Sequence, residues 1–242
     1  MELGFLQLAT LFCQTLATGL DTRRRRAPDP VDPRYELIVA IDTAGSGSWD
    51  DLTQLRARTL LDELVQAAFR AAGIPWHKLR TEDRGDGMIL FIPATVPKTQ
   101  VLDAVIPYLS AGLRDCNRRR GQGPRLRLRV AVHAGEVLHG PLGCVGTDLN
   151  LTCRLVNSRP VCRVFTHHPD ADLILIASEA IYQAMVRHNH RNIDPARFTR
   201  VHVGVKEVRA KAWIHIPEPR RATPPRTLAP ADLRWVTYLI GR

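Results

Sequence analysis

Three stretches of the chain set reactive side chains at the margins of apolar segments. "YELIVAID" closes on Asp42 and runs into "TAGSGS". "EDRGDGMILF" puts Asp86 in a tight turn ahead of a second apolar run. "GTDLNLTCRL" separates Asn150 from Arg154 by four residues, which places both on one face of a helix. Two carboxylates on neighbouring strand ends hold one or two divalent cations through oxygen. Cations held that way stabilise charge during a displacement at phosphorus. The glycines after Asp42 clear the approach path, so the main chain from Thr43 to Gly45 has access to a polyphosphate. Each signal also has a plain structural meaning. Aspartate commonly forms turns, while Asn150 is suited to capping a helix and Arg154 to facing water.

The elements that carry these residues are legible from periodicity. "APDPVDPR" holds three prolines in eight residues and reads as a linker. A buried strand then begins at Tyr35. The segment "WDDLTQLRARTLLDELVQAAFRAAG" predicts a helix capped by Asp50 or Asp51, with Leu61, Leu64, Ala68 and Ala72 on its apolar stripe. Gly73 and Pro75 stop it. "KLRTEDRGDGMILFIP" predicts two strands joined at "DRGDG". A second helix, bent near Pro107, precedes "RLRLRVAVHAGEVLHG", whose alternation predicts a half-exposed strand. A short strand "CV", the helix of the opening motif, a strand–helix unit from Ala171 and a closing hairpin-like pair complete the order. That order predicts an α+β fold of ferredoxin-like plan, an antiparallel-rich sheet with helices on one face. The expected domains are a leader and Arg/Pro-rich linker at 1–34, one folded domain at 35–217 and a Pro/Arg-rich tail at 218–242.

The 242 residues, 45% hydrophobic and 24% charged, are enough for one sizeable core. The net charge of +10 suits a polyanionic partner, but no nucleic-acid motif accompanies it and none is expected to bind. Five cysteines without a C-x-x-C pair argue against a zinc site and for a reducing compartment, hence the cytoplasm. Cys144 and Cys153 read as packing residues; His133, His167 and His168 read as structural. The leader "LGFLQLATLFCQTLATGL" carries glutamines and threonines, and its basic run "RRRR" follows it. It is a poor span and a poor secretory signal. An amphipathic segment, with attachment to a membrane surface as the alternative, fits better.

Taken together, the motifs resemble the class III nucleotide cyclases, which convert nucleoside triphosphates to 3′,5′-cyclic monophosphates. "VAIDTAGSG" and "EDRGDGMILF" are similar to the family's two metal-aspartate segments. "LRVAVHAGEVLHG" resembles its R-x-G-x-H-x-G strand, with Ala131 where glycine is frequent. "VGTDLNLTCRL" resembles its G-x-x-V-N-x-x-x-R signature, with Leu149 for Val. "LILIASEAIY" and "VGVKEVRAKAWIHI" resemble its late strand–helix and lysine-bearing hairpin. The resemblance implies that Asp42 and Asp86, with Thr43, hold two Mg²⁺ or Mn²⁺ ions, and that Thr43 and Gly45 line the phosphates. It implies that Asn150 orients the ribose, Arg154 donates to the α-phosphate and Lys206 meets the terminal phosphates. It further implies a head-to-tail homodimer with two composite sites, the aspartates from one chain and Asn/Arg from the other.

Two positions bear on the base. The family reads it four residues before the second metal aspartate and seven before the Asn, here Glu82 and Gly143. Adenylate-forming members place Lys and Asp there, and guanylate-forming ones Glu with Cys or His. Uracil offers an N3–H to Glu82 and carbonyls to Arg84. The compact chain is similar to the pyrimidine cyclases of Pycsar antiphage systems, whose cyclic product acts on a separate effector. The expectation is therefore a pyrimidine nucleotide cyclase in antiviral defence, with UTP favoured over CTP as substrate. The alternatives are a guanylate or adenylate cyclase in ordinary signalling, and a nucleotide-binding module without catalysis.

Overall fold

The computed structural model describes residues 32–217 apart from 122, 192, 206 and 207. The leader, the tail and Lys206 lie outside the described residues. Strand β1 (Arg34–Thr43) is buried without interruption from Glu36 to Ile41. A strand covered on one side buries alternate residues, so continuous burial requires cover on both faces. On one side Leu37, Val39 and Ile41 meet Leu61, Val65 and Phe69 of helix α1 (Asp51–Ala71) and Leu109 and Leu113 of α2 (Ile106–Arg119). On the other, Ile38 and Ala40 meet Leu149 and Leu155 of α3 (Thr147–Val156) and Val161 and Phe165 of α4 (Arg159–His167). Helices on one face, as expected from element order, is therefore corrected to helices on both faces.

The sheet has eight strands, in the order β2-β3-β1-β4-β6-β8-β7 with β5 paired to β4. Strands β2 (Arg80–Asp83) and β3 (Gly87–Pro93) form the expected hairpin, and Gly85 takes φ +80° in its turn. Strand β4 (Leu128–Gly140) is antiparallel to β1 and parallel to β6 (Leu173–Ser178). A parallel pair needs a crossover, which α3 and α4 provide. β5 (Gly143–Val145) folds back on β4, α5 (Glu179–Ala184) follows β6, and β7 (Thr199–Val205) pairs with β8 (Val208–His215). Among the described residues no helix is long and apolar enough to cross a membrane.

Local chemistry explains the boundaries. Asp50 caps α1 by accepting from the Thr53 N–H at 2.7 Å, and Gly73 at φ +73° ends it. The buried stripe is Leu61, Val65, Ala68 and Phe69, rotated slightly from the expected one, with Leu64 and Ala72 half-buried. The bend near Pro107 takes the form of a π-helical turn, Val101–Val105, leading into α2. Proline lacks the N–H that would continue the α-helical ladder, and a wider turn absorbs the break.

The half-exposed reading of β4 is corrected. The strand lies at the centre of the sheet, and the arginines at its start are tied down. Arg125 Nε donates to Asp172 at 2.7 Å, and Arg127 donates to the carbonyls of Phe165, in the last turn of α4, and of His168 and Ala171 after it. Alternating arginines here mark alternating polar anchors.

Gly87 sets how closely β3 passes β1: a Cβ there would lie 2.2 Å from the Ile41 carbonyl oxygen. Gly87→Ala is expected to destabilise the fold by about 2–3 kcal/mol, read as a fall in the urea midpoint. Gly47→Ala, whose Cβ meets open space, serves as the control and should stay within about 0.5 kcal/mol.

Candidate active site

At the end of β1, Asp42 pairs in register with Gly87, and the Thr43 N–H donates to the Asp86 carbonyl at 3.1 Å. The two carboxylates expected to act together are thus neighbours. Asp42 is half-buried and Asp86 exposed. Arg129, opposite Asp42 in β4, donates to its Oδ2 from Nε at 2.7 Å and from a second guanidinium nitrogen. Ser46 Oγ lies 2.5 Å from Asp86 Oδ2 and 3.2 Å from the Thr43 carbonyl, so its single proton goes to the carboxylate.

Burial pushes the Asp42 carboxyl above its ordinary value; Arg129 pulls it down, and the Asp86 charge raises it again. A partly buried Asp42 carboxyl with a second carboxylate beside it favours added positive charge at that point. Two carboxylates and a main-chain carbonyl are hard oxygen donors, a set suited to Mg²⁺ or Mn²⁺. Thr43 and Asp86 border a cleft of about 240 Å³ that Ser46, Trp49, Arg58 and Gly85 also line.

The expected open glycine loop is in fact a built turn. Thr43 is buried; its N–H and that of Ala44 are committed to Asp86 and Arg127. A 3₁₀ turn at Ser46–Ser48 follows, entered through Gly45 at φ +83°. Thr43 therefore cannot offer its N–H to a phosphate. What it offers is its carbonyl oxygen. Gly45 remains exposed at the rim.

Asn150 is exposed and Arg154 half-buried on α3. The first turn of α3 is anchored to β4 where Asp148 accepts from the Glu136 N–H at 2.8 Å. Glu136 lies seven residues along β4 from Arg129, the partner of Asp42, roughly 23 Å at the rise of an extended strand. Asn150 sits about half a turn beyond that anchor. Within one chain, Asn150 and Asp42 stand too far apart to hold one small group between them.

Glu82 and Gly143, far apart in sequence, are neighbours. A Cβ on Gly143 would lie 3.6 Å from Glu82 Oε1. Glu82 Oε2 accepts from Arg84 at 2.8 Å, while Oε1 is buried with no hydrogen-bond partner among the described residues. Cys144 lies nearby, its thiol pushed up to about 12 by burial and by Glu82. Its close contact is with His139 Nδ1, at 3.0 Å, so it is a weak neighbour of Glu82 and not its partner. Cys144 and Cys153 are half-buried free thiols, in keeping with packing roles.

Sequence reasoning did not assign Arg129, Ser46 or Asp148. Arg129 is the first residue of the quoted R-x-A-x-H-x-G run and Ser46 lies in "TAGSGS", so both signals were present without a partner to give them meaning. His133, read as structural, is buried between Ser178 and Asp148.

No family model and no curated protein matches the sequence. Solved structures do match in shape. The guanylyl cyclase Cya2 is 18% identical, with 79% of this chain and 97% of that one covered at a TM-score of 0.56. An adenylate/guanylate cyclase/hydrolase from Silicibacter pomeroyi is 18% identical over 78% of this chain and 100% of that one, TM-score 0.57. The catalytic core of a rhodopsin-guanylyl cyclase, in complex with ATPαS, is 14% identical over 76% and 96%, TM-score 0.51. The chain has the class III nucleotide cyclase fold. The match covers 96–100% of those chains.

Arg129→Leu would leave Asp42 partly buried beside Asp86 without its guanidinium. The variant is expected to lose about 2–3 kcal/mol of stability near neutral pH. Removing Arg129 lifts the folded-state pKa of Asp42 still further above its unfolded value. The deficit should therefore shrink as pH falls through the carboxylate range and Asp42 takes up a proton. Urea unfolding of both proteins across that range measures it.

Proposed function

We propose that this chain is a nucleotide cyclase acting on a pyrimidine nucleoside triphosphate, with UTP as substrate. The juxtaposed carboxylates of Asp42 and Asp86 in a cyclase fold carry the reading. In the reaction the ribose 3′-oxygen bonds to the α-phosphorus. The bond from that phosphorus to the leaving diphosphate breaks, and the hydroxyl proton passes to solvent. Two Mg²⁺ or Mn²⁺ ions held by Asp42, Asp86 and the Thr43 carbonyl would supply Lewis-acid stabilisation of the charge on these oxygens. Arg129 holds the Asp42 carboxylate in place, and Gly45 leaves the rim open to the triphosphate.

Asn150 orients the ribose. Arg154 donates to the α-phosphate as charge builds there, a role suited to its fixed fork of donors. Lys206 meets the terminal phosphates as a point charge. Because Asn150 and Asp42 of one chain stand apart, each site is composed from two chains. A head-to-tail homodimer then carries two equivalent sites.

Glu82 and Arg84 support the choice of base. With Oε2 engaged by Arg84, one carboxylate oxygen remains, beside a glycine that contributes no side chain. Uracil presents a single N–H between two carbonyls: Oε1 accepts from N3–H and the Arg84 guanidinium donates to a flanking carbonyl. Guanine is the second reading, favoured by the Cys144 thiol next to Glu82. By analogy with the Pycsar cyclases, the cyclic product is a messenger for a separate effector in antiviral defence.

Incubating the purified protein with each of the four nucleoside triphosphates and Mn²⁺ or Mg²⁺, with products resolved by mass, tests this. Cyclic UMP is expected. A cyclic purine nucleotide as the main product contradicts the base assignment, and no cyclic product with any substrate or metal contradicts the enzyme. Arg154→Ala should lower kcat by about 10²–10³-fold.

A further inference from the structure

Helix α3 begins without a side-chain cap: its N-cap is Gly146. Asp148, in its first turn, is a residue type that commonly satisfies the helix's own N–H groups. Here it points elsewhere. Oδ2 accepts from the Glu136 N–H at 2.8 Å, and Oδ1 lies 3.0 Å from His133 Nε2. Strand β6 accompanies β4 only as far as the pair Val132–Ala177. Past that point, the edge of β4 that faced β6 has lost its strand neighbour. The Asp148 carboxylate takes the neighbour's place and accepts from the Glu136 N–H at that exposed edge, a charge-assisted bond.

The network continues into the sheet. His133 Nδ1 lies 2.8 Å from Ser178 Oγ, and Ser178 caps α5 by accepting from the Ile181 N–H at 3.3 Å. The protons can be assigned. A carboxylate only accepts, so Nε2 carries the imidazole proton; Nδ1 then accepts from the Ser178 hydroxyl. Each group is satisfied with a neutral histidine. His133 and Ser178 are 5% and 3% exposed. A cavity of about 260 Å³ opens beside His133 and Ser178, under Leu151 and Leu155 of α3. Packing leaves the ring free on that side, and its hydrogen bonds hold it. Gly135 completes the arrangement: a Cβ there would lie 2.1 Å from the Asp148 carboxyl group.

At about 100° per residue, Asn150 and Arg154 lie roughly 200° and 240° around α3 from Asp148. Asp148 is therefore tied to the sheet side, and the two candidate site residues face away from it. The apolar contacts of Leu149 and Leu155 hold α3 on the sheet but tolerate rotation and sliding. Directional hydrogen bonds do not.

We propose that Asp148 and His133 are positioning residues that fix the rotation and register of α3, and through them the places of Asn150 and Arg154. The proposal rests on the reading of those two as site residues. Asp148→Ala is expected to lower kcat by about 10–100-fold, as a displacement of about 1 Å does, with KM within roughly threefold. Asp148→Asn should recover most of that loss. The amide oxygen still accepts from Glu136 and its NH₂ donates to Nε2, while the imidazole switches tautomer. Gly135→Ala should reproduce the Asp148→Ala defect yet add little to it in the double variant. Mixing Asp148→Ala with Asp42→Ala should restore turnover, whereas mixing it with Arg154→Ala should not.

A kcat within twofold of wild type for Asp148→Ala, or additive effects of Gly135→Ala and Asp148→Ala, overturns the proposal. So does rescue by Arg154→Ala in place of Asp42→Ala. If the wild-type protein forms no cyclic nucleotide, the enzyme reading fails and the clamp is decided separately by amide hydrogen exchange. Asp148→Ala must then speed exchange across Asn150–Arg154 relative to wild type, and unchanged exchange overturns it.

Discussion

A methyl group at position 87 would press into the Ile41 carbonyl, 2.2 Å away, and this narrow clearance governs the end of the sheet. Because β3 passes β1 so closely, Asp42 and Asp86 emerge side by side at a partly buried strand end. Such a pair is costly when both are ionised. The surroundings respond with the Arg129 guanidinium on Asp42 and the Ser46 hydroxyl on Asp86. The 3₁₀ turn after β1 exists to deliver that serine. The site's electrostatics thus follow from a backbone approach that only glycine permits.

The same sheet separates the candidate groups. Since β1 and β4 are buried on both faces, α3 packs on the face opposite α1 and α2. Its first turn is pinned at the far end of β4 from Asp42. Asn150 faces outward, and Leu142 and Val145 stand exposed on the neighbouring β4–β5 hairpin. Under the proposed reading a second copy covers this surface and brings its own Asp42 and Asp86 to it.

Much of this was legible in the residues. The apolar run ending at Asp42, the "DRGDG" hairpin, the Asp50 cap and the Gly73 stop each rest on local chemistry, and each is present. What was hidden depends on which elements meet. Periodicity cannot say that both faces of β1 are covered, because an all-apolar strand has no alternation to read. Alternating arginines in "RLRLR" look solvated until the carbonyls at the end of α4 and after it, and the Asp42 carboxylate, are placed beside them. "TAGSGS" looks open until Ser46 is seen bound to Asp86. Asp148 reads as an ordinary first-turn acid until the β4 edge without a strand shows what it serves. Glu82 and Gly143 were paired from a resemblance, and the fold brings them into contact for its own reason, the return of β5 along β4.

The central claim is that aspartates from one chain and the Asn/Arg helix from another act on one nucleotide. The most direct measurement mixes two inactive variants, Asp42→Ala and Arg154→Ala, under conditions that exchange subunits, and follows cyclic-nucleotide formation. In a heterodimer one site receives both defects and the other receives none. Each variant alone should be inactive and the mixture should recover up to about one quarter of wild-type turnover, as random exchange of subunits between two-site dimers allows. A mixture as inactive as its components, with exchange verified, would contradict the composite site.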